Sequence, residues 1–145
     1  MQDSRHNARV LALQKVFEEY FHSQNLADLT LENFSLGVLQ SVDEIGHFDK
    51  NLFSNLTERL EEYKDKIDSI IVVLAPEWPL EKIAAIDLQI LRLAILEGFI
   101  LNVTPERVAI DEAIELAKEF SNDQSRKFVS GVLGNLIENK SKYLH

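Results

Sequence analysis

The sequence contains no cysteine, which excludes disulfides and thiolate metal sites and gives no sign of an oxidising compartment. Glycine (5) and proline (3) are scarce among 145 residues. That leaves little turn punctuation for a many-stranded sheet and favours long helices joined by short loops. No segment approaches the roughly 18 uncharged apolar residues that a membrane span needs. The opening MQDSRHNARV lacks the apolar core of a signal peptide, so a cytoplasmic location is expected. Positive charge is also short: 15 Lys and Arg stand against 24 Asp and Glu, a net charge of −9. With a pI near 4.9, the chain does not read as a general nucleic-acid binder, because phosphate neutralisation needs clustered cations. The deficit leaves room for a small basic patch, and an acidic surface suits a basic protein partner.

What is present is helical periodicity. Hydrophobic residues make up 46% and charged residues 27%, the balance of one globular domain, residues 1–145, with a real core. In SRHNARVLALQKVFEEYFHS, Val10, Leu13, Phe17, Tyr20 and Phe21 recur at helical spacing, with Gln14, Glu18 and His22 on the other side. A weaker region, residues 25–50, reads as a loop plus a short helix. Leu52, Leu56, Leu60, Ile67, Ile70, Ile71 and Leu74 then define one long helix or two in sequence. PEWPLEK breaks the ladder, and Pro79 can open a new helix. The stretch IAAIDLQILRLAILEGFIL is apolar nearly all round, with Asp87, Gln89, Arg92 and Glu97 as exceptions, which marks the buried centre of a domain. Thr104 as N-cap and Pro105 at the first helical position open the next helix. A last helix carries Phe128, Val129, Val132, Leu133, Leu136 and Ile137. The expectation is an all-α fold of six or seven helices.

Charge is distributed oddly along these helices. Arg5, His6 and Arg9 lie at the start of the first helix, where the macrodipole disfavours cations. Arg5 and Arg9 continue the line of Ala12 and Val16, so they should emerge at the rim of the helical body. Arg126 and Lys127 repeat the arrangement in the first turn of the last helix, beside Phe128. Two readings stay open. Asp3 and Ser4 would cap the helix and partly neutralise Arg5 while Arg9 pairs with a carboxylate of another helix, or the counter-charge is an external phosphate, with Phe17 or Phe128 half-buried and stacking on a splayed base. Asp87 is likewise either a local hydrogen-bonded group at a helix end or an exposed partner contact. Glu44-x-x-His47 has a spacing seen in di-metal sites, but the second copy such sites need is missing and Gly46 weakens the local helix, so no metal is expected. Without a G-x-G-x-x-G, a P-loop or a nucleophile elbow, neither catalysis nor a cofactor is expected.

The ordered segments ILRLAILE (90–97), AIDEAIELAKEF (109–120) and SRKFVSGVLGNL (125–136) resemble the NusB family of bacterial transcription antitermination factors. RHNAR followed by LALQKVF is similar to the family's Arg-rich opening helix, and IDSIIVVLAPEWPLEKIAAIDLQILRLA to its middle. The resemblance implies two three-helix bundles packed across each other and no catalysis. It implies binding of boxA-type single-stranded RNA together with NusE, a small-subunit ribosomal protein, in a complex that keeps RNA polymerase elongating. Under it, Arg5, His6, Arg9, Phe17, Arg126, Lys127 and Phe128 are the RNA-facing candidates, and Asp87 and Gln124 match positions associated with the NusE-facing surface. The domain also occurs ahead of rRNA cytosine methyltransferases, for which a chain ending at His145 would leave no room. Departures are His6 and Asn7 where arginine is typical, Phe17 where tyrosine is frequent, and Gln124 where aspartate is common. Fewer fixed charges imply weaker, less salt-sensitive RNA binding. The alternative is a helical protein-interaction module, such as a homodimer, with little or no RNA binding.

Overall fold

A computed structural model describes residues 3–23 and 45–144. All regular structure among the described residues is helical: α1 (Ser4–Ser23), α2 (Lys50–Glu58), α3 (Leu60–Leu74), α4 (Ala85–Ile95), α5 (Glu106–Phe120), α6 (Asp123–Glu138) and the short α7 (Lys140–Tyr143). A 3-10 turn, Leu80–Lys82, precedes α4, and a π turn, Leu96–Ile100, continues it. The chain divides into two compact units, residues 1–59 and 60–145. The loop-plus-helix reading of residues 25–50 falls mostly outside the described residues.

In the first unit α1 packs along α2. The seven residues Asn7–Leu13 are all buried, so this part of α1 is enclosed on every side rather than amphipathic. Beyond Leu13 the helix shows the expected two faces, with Val16 buried, Phe17 and Phe21 half-buried in an edge-to-face pair 4.5 Å apart, and Lys15 and His22 exposed. The start of α1 is stitched to the segment before α2. The Asp49 N–H donates to Ser4 O (3.0 Å), and Asn7 Nδ2 donates to His47 O (2.9 Å).

In the second unit α4 is the buried axis that the sequence indicated: every residue from Asp87 to Phe99 is buried. The helices α3, α5 and α6 pack on it. Arg92 is held there by a bidentate pair with Asp68 of α3, Nε–Oδ1 and Nη2–Oδ2 both 2.8 Å, so the guanidinium enters the interior already neutralised. The π turn brings the backbone of Gly98 against α5, where a Cβ would lie 2.8 Å from the Ala109 Cβ. Small residues on both elements are what permit that approach.

Of the two readings open for the apolar ladder of residues 52–74, the structure shows two helices in sequence, broken at Arg59. Two boundaries differ from expectation. Pro79 opens only the 3-10 turn, and α4 starts at Ala85. Pro105 is itself the N-cap of α5, with Thr104 buried one residue ahead.

Candidate nucleic-acid interface

The first candidate surface is the start of α1. Asp3 caps the helix by accepting from the Arg5 N–H (3.0 Å). Asp49 caps α2 by accepting from the Leu52 N–H (3.0 Å) through Oδ1, and its Oδ2 lies 3.6 Å from Arg5 Nη1. Arg5 therefore sits between the carboxylates that cap two helices. Its side chain remains 41% exposed, and at 3.6 Å in that solvent the pair with Asp49 contributes little. His6 is half-exposed beside it. Arg9 corrects the sequence reading: only 4% of it is exposed, so it does not emerge at the rim. The line from Val16 through Ala12 to Arg9 stays enclosed one turn longer than the apolar residues alone indicated.

The second candidate surface is built where α4 and α6 begin. Asn122 caps α6 by accepting from the Ser125 N–H (2.9 Å). The Ser125 hydroxyl donates to Asp87 Oδ2 (3.1 Å), in the first turn of α4, and lies 2.7 Å from the Ser121 hydroxyl. Asp87 is 6% exposed, so of the two readings open in the sequence the structure shows the local hydrogen-bonded one. Its Oδ1 is buried with no hydrogen-bond partner among the described residues. Burial pushes its carboxyl above the ordinary value, and the Ser125 hydrogen bond only partly opposes this. The network fixes the first turn of α6, from which Gln124 and Lys127 are exposed and Arg126 and Phe128 half-exposed. Arg126 Nε lies 3.3 Å from Asp123 Oδ1 within the same turn.

Beside this turn runs a cleft of about 340 Å³ lined by residues that include Trp78, Lys82, Asp87, Gln124, Ser125 and Phe128. Trp78 and Phe128 also line an adjoining cleft of about 280 Å³ with Lys127. The structure thus brings Asp87 and Gln124, expected on a partner-facing surface, together with Phe128, expected to face RNA, and adds Ser125, Trp78 and Lys82, which sequence reasoning missed. The signal was there: a tryptophan between two prolines in PEWP cannot continue a helix and is held 51% exposed. Asp49 was also missed, although an Asp just ahead of the periodic run that begins at Leu52 is an N-cap signal. Glu44 of the Glu-x-x-His spacing lies outside the described residues. No group of three or more His, Asp or Glu placed to hold a metal ion occurs among the described residues, and no described helix is long and apolar enough to cross a membrane.

Comparison with known proteins gives one consistent answer. A sequence model described as the NusB family matches residues 6–138. The transcription antitermination protein NusB of Natranaerobius thermophilus is 30% identical, over 96% of this chain and 98% of its own. That of Clostridium novyi is 33% identical, over 93% and 98%. Among solved structures, T. maritima NusB superposes with a TM-score of 0.71 at 28% identity, covering 99% of both chains. A crystal structure of antitermination factors NusB and NusE in complex with dsRNA gives 0.69 at 20% identity, over 95% of this chain and 98% of that one, a likeness of fold.

Proposed function

The chain belongs to the NusB family, and from that premise we propose that it is a transcription antitermination factor that binds boxA-type single-stranded RNA together with a NusE-type small-subunit ribosomal protein. The observation that carries this reading is the family match over residues 6–138, nearly the whole chain. Its role is to place RNA and ribosomal protein together so that the pair joins RNA polymerase during elongation. The work is binding, with no covalent step.

The geometry supports a division of labour. Around the first turn of α6, Lys127 and Arg126 supply cations for phosphates, and Phe128 supplies an aromatic face for an unstacked base. At the start of α1, Arg5 and His6 serve a further phosphate. Arg9 is assigned to the interior of the fold instead, on account of its burial. Phe17, packed against Phe21, is at most a partly covered platform. Gln124, exposed at the α6 turn, is the position we assign to the ribosomal protein, and Asp87 supports that surface from below through Ser125.

The test is an electrophoretic shift of boxA-type RNA with and without the cognate NusE-type protein. RNA affinity is expected to rise when the partner is added. An affinity that the partner leaves unchanged would count against the reading. One observation favours a second reading, a protein-interaction module with little RNA binding: Arg9 is withdrawn and Arg5 lies near Asp49, which thins the cationic end of α1. In that case the ribosomal protein would bind and boxA-type RNA would fail to shift even in its presence.

A further inference from the structure

We propose that Asp49 sets the RNA affinity of the α1 end: its fixed carboxylate competes with a phosphate for the Arg5 guanidinium and so weakens binding there. The inference rests on the RNA-binding reading above and names a residue that tempers it from within the fold.

Asp49 is held in place by demands unconnected with Arg5. It is the N-cap of α2, and its Oδ1 accepts the Leu52 N–H at 3.0 Å. Phe48, just before the cap, meets Phe53 in the first turns of α2 as an edge-to-face pair 5.6 Å apart. That is the arrangement of a hydrophobic staple, which fixes the angle at which the chain enters the helix. The Asp49 N–H donates to Ser4 O at 3.0 Å, and two residues earlier His47 O accepts from Asn7 Nδ2 at 2.9 Å. Cap, rings and backbone bonds together pin the carboxylate against the opening of α1. It cannot turn away from an arriving ligand without giving up the cap.

The other oxygen, Oδ2, lies 3.6 Å from Arg5 Nη1. That is long for a charge-assisted hydrogen bond, and the Arg5 side chain is partly exposed, so a phosphate can displace the contact. An incoming phosphate must draw the guanidinium from Asp49 and then lie near a negative charge that stays where it was. Both effects oppose binding. A carboxylate built to aim an arginine makes a short, two-pronged pair, as Asp68 does with Arg92 at 2.8 Å through both oxygens. Asp49 spends one oxygen on the cap and meets Arg5 at a distance, which is the geometry of a competitor.

Asparagine caps a helix as well as aspartate does, so Asp49→Asn keeps the cap and the backbone bonds and removes the charge. The affinity of boxA-type RNA for the full chain with the NusE-type protein bound is measured for wild type, Asp49→Asn, Arg5→Ala and the double variant. At low salt Asp49→Asn is expected to bind about threefold more tightly than wild type, the scale of one exposed ion pair released. The gain should shrink as added salt screens the charge. In the Arg5→Ala background the same substitution should bring no more than Asp111→Asn, which removes one charge from an exposed position on α5. Thermal unfolding checks that each variant folds, and Asp49→Ser, which also caps, gives the same readout should Asp49→Asn fail to. Weaker binding by Asp49→Asn would make the carboxylate a positioning group for Arg5 and overturn the proposal. An affinity equal to that of wild type would overturn it too, as would a gain that persists in full without Arg5. In each of these outcomes RNA is still shifted with the partner present, so only the role of Asp49 is wrong. If no chain shifts RNA, the functional reading fails and takes this inference with it.

Discussion

Asp87 shows how much one side chain's surroundings decide. In the first turn of α4 it meets the helix dipole favourably, yet burial outweighs this and holds its carboxyl above the ordinary 3.8. The folded protein therefore binds this proton more tightly than the unfolded chain does. The stability it contributes is complete below the unfolded value and is lost as pH rises through the raised folded one. Urea denaturation of wild type and Asp87→Asn across this range is expected to show the wild type losing ground to the variant as pH increases. A pH-independent difference would mean that the carboxyl is not perturbed. Arg92 presents the opposite case, a buried charge with its partner supplied. Asp68→Ala would remove both charge-assisted hydrogen bonds of the bidentate pair from a guanidinium that stays buried. A destabilisation of about 3 kcal/mol is expected by the same denaturation, the scale of a buried pair broken on one side.

At the scale of elements, close approach and capping set the boundaries. The π turn presses Gly98 onto α5, so Gly98→Ala must displace Ala109 and should cost about 1–3 kcal/mol. Gly134 lies inside α6 with nothing within 4 Å of an added Cβ, and Gly134→Ala should stabilise by about 0.5–1 kcal/mol. Opposite shifts in Tm would confirm that the two glycines serve different purposes; shifts of the same sign would refute it. Neither role was legible in the sequence, because a glycine there does not show what its missing Cβ would touch. The helices themselves were legible. Leu52, Leu56, Leu60, Ile67, Ile70, Ile71 and Leu74 are all buried at the positions the period required, and the all-round apolar stretch is the buried α4. The starts were harder. Backbone geometry at Pro79 and Pro105 delays each helix, and the sequence signals a start only to within a few residues. Part of the candidate site was legible too: the cations and Phe128 in the first turn of α6 follow from helix register alone. The exposure of Trp78 was signalled by PEWP, but its place beside Lys82 and the Asp87–Ser125–Ser121 network could not be read, since these meet only when α4 and α6 pack. Arg9 misled for a related reason, because periodicity places a residue on a face without telling where enclosure ends.

The whole molecule carries −9 yet is assigned to a polyanion, so its RNA binding must be local and opposed by its own field. Each lysine or arginine that neutralises a phosphate releases counterion, which makes log affinity for single strands fall with log salt by about 0.7 per contact. Screening acts in the other direction on the acidic surface, weakening its repulsion of RNA as salt rises. The observed slope should therefore be shallower than the number of phosphate contacts implies, and it should steepen when a basic partner brings contacts of its own. Burial then separates the cations. Lys127, exposed at the α6 turn, should lower the slope by about 0.7 when replaced by alanine. Arg5, with its side chain 41% exposed, should behave the same way. Arg9, 4% exposed, should leave the slope as it is and reduce thermal stability instead, since its guanidinium lies inside the fold. RNA affinity of the partner-bound chain measured over a series of salt concentrations, for wild type, Arg5→Ala, Arg9→Ala and Lys127→Ala, tests all three at once. Parallel lines for wild type and Lys127→Ala would remove that lysine from the phosphate path. A flattened line for Arg9→Ala in a variant that remains folded would return the buried arginine to it.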